Sequence, residues 1–305
     1  MPSSPKFSAI PALQTCAPLL FVFLWSTGFV GAKFGLPYAD PLTFLLVRYL
    51  IVIALVAVFV WFTRAPWPRD ARQFFHIGIS GVLVHAVYLG GVFVSIKHGL
   101  PAGVTALLVG MQPLLTAGGA LWLLGERLSN SQRLGLALGF VGVALVLANK
   151  LDGVDLLAFG AMTIPAVVAL LAITMGTLYQ KRFCPHFDLR TGALIQFVPS
   201  AALTGLAAFA TEPMHIEWTP QFVFSLAWLV LVLSLGAISL LNLLIRSGSA
   251  VKVASLFYLT PPMTAVIAWL VFGETLSSLA LAGMALAVYG VYLARAETSA
   301  RKHTT

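Results

Sequence analysis

The sequence predicts an all-α membrane protein, with ten transmembrane helices arranged as two inverted five-helix repeats and both termini in the cytoplasm. Three observations carry that expectation. Hydrophobic residues make up 59% of the 305 residues and charged residues 9%, with mean hydropathy +0.95. Soluble domains carry about 25% charged residues, so this much apolar surface calls for lipid. Second, the chain repeats itself. A shift of 148 residues lays positions 102–143 over 250–291 with 16 of 42 identical, against roughly four expected by chance in so apolar a segment. Third, with the N-terminus placed inside, 14 of the 18 Lys and Arg residues fall in cytoplasmic segments. Three fall outside (Lys33, Lys97, Lys150) and Arg48 lies within a span. That is the asymmetry expected of a positive-inside topology.

The spans follow from apolar runs of the length a bilayer requires, about 17–25 residues. They read as about 17–36, 42–62, 74–96, 101–124 and 131–149 in the first half. The second half gives about 155–179, 190–210, 222–245, 250–272 and 278–295. The halves are 1–149 and 150–305, the second ending in a short cytoplasmic tail. The first run is too long for a signal peptide, lacks a clear small-residue exit and has a repeat partner, so it reads as a retained span. Helix-ending chemistry separates the runs: Pro66, Pro68, Asn130, Gly153, Pro185, Pro213 and Pro220. Ser129-Asn-Ser-Gln132 reads as a capping box opening the fifth helix. Trp61, Trp67, Trp218 and Trp228 fall near span ends, where indoles favour the interface. Five helices per half reverse the entry side of the second half, so the repeats are inverted. That arrangement can expose one site to each face in turn.

Composition also excludes. The net charge of +8 is scattered over loops rather than gathered on one face, so nucleic acid is not a partner. Cys16 and Cys184 have no metal-ligand or disulfide spacing. No phosphate-binding P-loop, HExxH or GxSxG is present, so no cofactor, metal or catalytic residue is assigned.

Candidate functional residues concentrate in the fourth and ninth spans. Pro113 and Pro261-Pro262 sit near the middle of these helices, where proline frees a carbonyl that lipid cannot satisfy. Gln112 and Thr116 flank the first, Thr260 and Thr264 the second. Matched positions in the two halves favour a substrate cavity over two packing kinks. Trp25, Tyr88 and Tyr258 could supply its aromatic walls or serve as packing aromatics. Glu126 and Glu274 close the same two helices, and with Arg48 and His85 they form the set for gating or proton coupling. Structural anchoring is the competing role for the glutamates, and interhelical polar packing for His85. The small-residue stripe Gly135, Gly139, Gly142, echoed by Gly283 and Gly290, reads as close helix packing, with a homodimer contact as the alternative.

Trp25-Ser-Thr-Gly-Phe-Val30, Arg48 after Pro41, Pro113, Gly125-Glu126, Pro261 and Gly273-Glu274 together resemble the EamA family of the drug/metabolite transporter superfamily. The resemblance covers about 17–295. It implies a multi-pass carrier of the bacterial inner membrane, a secondary-active or facilitative exporter of metabolites or amino acids, with a central cavity between its halves. Ile173 and Gln196 stand where the repeat would place a second Trp25 and Arg48, so the expected cavity is asymmetric. A membrane-embedded enzyme would need clustered intramembrane nucleophiles or ligands. A receptor or scaffold would not require inverted duplication.

Overall fold

A computed structural model describes residues 11–100, 102–123, 125, 128–148, 156–247, 250–272 and 277–296. Glu126 and Glu274 lie outside the described residues. Among those described, every named element is helical. In order these are α1 (Pro11–Gly35), α2 (Pro41–Thr63), α3 (Ala71–Gly81), a π-helical segment (Val82–Val87) and α4 (Tyr88–Lys97). Then come α5 (Ala102–Gly110), α6 (Gln112–Leu123), α7 (Asn130–Ala148), α8 (Leu156–Phe183) and α9 (Leu189–Thr211). The chain continues through α10 (Pro220–Trp228), a second π-helical segment (Leu229–Ala237) and α11 (Ile238–Ser247). Last are α12 (Ala250–Ser255), a 3-10 turn (Leu256–Leu259), α13 (Thr260–Phe272) and α14 (Ser278–Ala296).

Seven helical stretches among the described residues are long and apolar enough to cross a membrane. They are Cys16–Tyr38, Pro41–Thr63, Ala71–Lys97, Met162–Phe183, Leu189–Thr211, Pro220–Arg246 and Val253–Val271. Their starts follow local chemistry. Proline opens α2 and α10, where no intrahelical amide is lost. Asp70, Asp188 and Thr219 cap the first turns of α3, α9 and α10 through their side-chain oxygens. The expected capping box is present: the Gln132 amide donates to Ser129 Oγ at 3.1 Å, and the Ser129 amide donates to Gln132 Oε1 at 3.0 Å. Trp61, Trp67 and Trp218 are exposed as expected. Trp228 departs from its expected place: it closes α10 inside a span and donates from Nε1 to Thr27 Oγ1 at 3.0 Å.

The prolines act differently from the expected kinks. A turn at Met111 ends α5, and Pro113 is the second residue of α6. The 3-10 turn likewise precedes α13, in which Pro261 is second. A first-turn proline costs no ladder bond, so restarting the helix is cheaper than bending it.

Element bounds recur at the spacing of 148. The bounds of α2 and α9 match residue for residue, as do those of α7 and α14. Met111 falls on Leu259, and Val82 on Val230 in the second π segment. These equivalent helices pack on one another, running in opposite directions. The Glu212 carboxylate at the end of α9 accepts from the amides of Leu42 and Thr43 at the start of α2, each at 2.8 Å. At the other end Thr191, the counterpart of Thr43, donates to the Pro66 carbonyl at 2.9 Å. Along α7 and α14 the symmetry is closer still. A Cβ on Gly142 would lie 2.5 Å from the Ala287 nitrogen and 2.6 Å from the Gly283 oxygen. A Cβ on Gly290 would meet the Gly139 nitrogen and Gly135 oxygen at the same two distances. The glycine stripe therefore serves helix contact within one chain.

Candidate functional site

A small, narrow cavity lies where α1, α2 and α4 meet the second π segment and α11. Its wall brings together three of the expected residues, Trp25, Arg48 and Tyr88, with Gly28, Phe29, Leu89, Val92, Phe93, Leu233 and Ile238. The indole of Trp25 stacks parallel to the Tyr88 ring, centroids 6.0 Å apart, and meets Phe257 edge-on at 5.4 Å. Gly28 lets α1 approach the second half: a Cβ there would stand 3.0 Å from Leu233 Cδ1.

Arg48 is 2% exposed, and its Nε donates to Ser234 Oγ at 2.9 Å. No carboxylate pairs with it among the described residues. Each described acid is engaged at a helix end or loop. Asp70 and Asp188 cap helices, Glu212 caps α2, Asp40 accepts from the His215 amide, and Glu217 faces His215. A buried cation held by one hydroxyl is costly, about 2.5–3.5 kcal/mol at the centre of a membrane helix.

His85 lies one layer away, in the first π segment. Its ring stacks on Phe197 at 4.1 Å, its carbonyl accepts from Tyr49 Oη at 2.8 Å, and the Gln196 side chain is the polar group that interacts with the ring.

The proline-flanking residues are not among those that line this cavity. Ser26, beside Trp25, lies with its Oγ 3.3 Å from the Thr260 carbonyl oxygen. Gly110, just before the Met111 turn, touches Pro261, so the two breaks pack together. Gln112 donates to Thr177 Oγ1 at 3.3 Å and lines a separate narrow pocket with Ile245, Val253 and Ala254. The hydroxyls of Thr116, Thr260 and Thr264 and the Gln112 Oε1 are buried with no protein partner. Tyr258 is elsewhere: its ring covers Gly139 in a cluster with Ala117, Leu136 and Ala287.

Sequence reading missed Ser234, the hydroxyl that holds Arg48. It also missed a buried amide chain. Gln196 Nε2 donates to Ser80 Oγ at 3.2 Å and to Gln180 Oε1 at 3.3 Å, and Gln180 Nε2 donates to Asn242 Oδ1 at 2.9 Å. Asn242 is therefore buried between helices, near the end of its span. Among the described residues no group of three or more His, Cys, Asp or Glu could hold a metal ion.

These features define a multi-pass helical membrane protein with a small interior cavity. A model of the EamA-like transporter family matches the chain twice, at residues 15–148 and 159–296. The chain belongs to the EamA-like transporter family. It is 29% identical over 303 residues to the Bacillus subtilis transporter YvbV, covering 96% of this chain and 95% of that one. It is 27% identical to a probable amino-acid metabolite efflux pump of Salmonella typhimurium, covering 90% and 92%. It is 24% identical to the Escherichia coli inner membrane transporter YedA, covering 95% and 90%. A crystal structure at 19% identity superposes with TM-score 0.75 over 96% of this chain and 99% of the other, a likeness of fold.

Proposed function

We propose that this chain is a secondary-active or facilitative exporter. It carries small metabolites, amino-acid derivatives among them, across the bacterial cytoplasmic membrane by alternating access between two inverted five-helix halves, 1–149 and 150–305. One observation carries the reading: the cavity holding Arg48 is walled by α1, α2 and α4 from the first half and by Leu233 and Ile238 from the second. A site at such a seam changes its exposure when one half rocks against the other. Antiparallel packing of α2 on α9 and of α7 on α14 supports inversion, since equivalent helices of inverted repeats run in opposite directions. The names of the Salmonella and Escherichia relatives support export and the inner membrane.

Trp25, Tyr88 and Arg48 form the resting substrate site in this reading. Gln112, Pro113, Thr116, Thr260, Pro261 and Thr264 join it as the halves rearrange, because buried polar atoms of Gln112, Thr116, Thr260 and Thr264 lack partners and such atoms are rarely left so. Tyr258 acts on the site through the α7–α14 seam. Glu126, Glu274 and His85 are the groups for proton coupling, and an imposed pH gradient across vesicles tests them.

The deciding experiment is solute flux in proteoliposomes with a metabolite panel. Val92→Phe adds bulk to the cavity wall and should stop flux while the protein still folds. Flux unchanged by that substitution would place the pathway elsewhere.

A further inference from the structure

Resting on the exporter reading, the charge balance of the cavity narrows the solute. Arginine has five N–H donors and stays charged when buried. Among the described residues the Nε alone has a protein acceptor, the Ser234 hydroxyl, and Arg48 lines the cavity. Among the described residues the lining contains no acid, and the acids are all committed at helix ends and loops. The remaining wall is aromatic and aliphatic. We infer that the solute binds by a carboxylate on Arg48, and that it is a small apolar monocarboxylate carrying no cationic group.

Each part of that description follows from a feature of the cavity. A planar carboxylate matches the guanidinium fork with two parallel hydrogen bonds and neutralises the buried charge. A phosphate dianion would bring a second negative charge that no lining residue can balance. An ammonium group would lie in an apolar wall beside a like charge, with no carboxylate in that wall to receive it. The parallel faces of Trp25 and Tyr88, with Phe93, suit a flat or branched apolar body.

Four ligands of one skeleton separate these terms: 3-phenylpropanoate, 3-phenylpropan-1-ol, phenylalanine and 2-phenylethylamine. Binding is measured by calorimetry on the full chain in lipid nanodiscs. Phenylpropanoate should bind about 10- to 100-fold tighter than the alcohol, the range for a desolvated charged hydrogen bond. Phenylalanine and the amine should bind more weakly than phenylpropanoate. Arg48→Gln should erase the preference for the acid over the alcohol, and Arg48→Lys should retain part of it, as a point charge without the fork. The unmodified protein keeps the test valid if either variant fails to fold. The inference is overturned if the alcohol, the amine or phenylalanine equals the acid, if none of the four binds, or if Arg48→Gln weakens all four alike. If Val92→Phe blocks flux of a solute that carries no carboxylate, the exporter reading stands and this inference alone fails.

Discussion

The α7–α14 seam offers a quantitative test of the pseudo-symmetric packing. Substituting Gly142 by alanine puts a methyl 2.5 Å from the Ala287 nitrogen, where ordinary contact begins at 3.4 Å. The obstacle is backbone, so no side chain can swing away and the helices must part by about 0.9 Å. Overpacking costs about 1–3 kcal/mol, and a rigid neighbour puts this site at the upper end. Alanine recovers about 1 kcal/mol of helix propensity over glycine. The net expectation is a loss of about 2 kcal/mol. Gly290→Ala meets the same atoms of the opposite helix at the same distances and should cost the same. In the double variant the helices have already separated, so the combined loss should fall short of the sum by at least about 0.5 kcal/mol. Gly118→Ala is the control: nothing lies within 4 Å of a Cβ there, so the change should stabilise by up to about 1 kcal/mol. Reversible unfolding in mixed micelles reads all four proteins. Equal effects of Gly142→Ala and Gly118→Ala, or strict additivity of the pair, would refute the shared seam.

Three further expectations can be checked independently. Reporter fusions after residues 70 and 302 should read cytoplasmic and one after 215 external; a cytoplasmic reading at 215 would remove the inversion. The Arg190 side chain holds the Asp188 carboxyl below the usual carboxylate range. A folded value below the unfolded one stabilises above about pH 4 and is lost as pH falls through the folded value. The stability gap between the parent and Asp188→Asn should therefore be present at neutral pH and close on acidification; a gap that persists in acid would mean the pair contributes through packing alone. Cysteines placed at 112 and 260 should react with a small water-soluble thiol reagent during turnover and be protected by substrate. If both stay inert in active protein, those side chains remain in dry packing throughout the cycle.

Much of the fold was legible because its signals are local or periodic. The 148-residue register returns in the matched bounds of α2 with α9 and α7 with α14, and the Ser129–Gln132 capping box needs only four residues to be recognised. The π segments were not legible. A run such as Val82–Val87 has the same apolar composition whether its hydrogen bonds close at i+4 or i+5, so sequence pattern cannot distinguish them. The difference matters here, since His85 and Ser234 sit on these segments and their direction depends on the local winding.

The site was legible residue by residue but not as an assembly. Intramembrane charge singled out Arg48, and the aromatic positions singled out Trp25 and Tyr88; all three meet in one cavity. Reasoning from symmetry weighted the residues differently from the packing in two ways. It favoured the duplicated prolines as the centre of the site, and a feature present in both halves also serves fold symmetry: the two breaks pack on each other where Gly110 meets Pro261. It also passed over Gln196 because it breaks the match with Arg48, although that amide joins Ser80 to Gln180 and onward to Asn242. Duplicated residues build the frame, and departures from duplication give its two sides different chemistry. On one side a guanidinium faces an aromatic cavity; at the equivalent place on the other, neutral amides close on themselves. A solute that distinguishes the halves must do so through that difference, which is why the charge of Arg48 is the feature from which the proposal reads its chemistry.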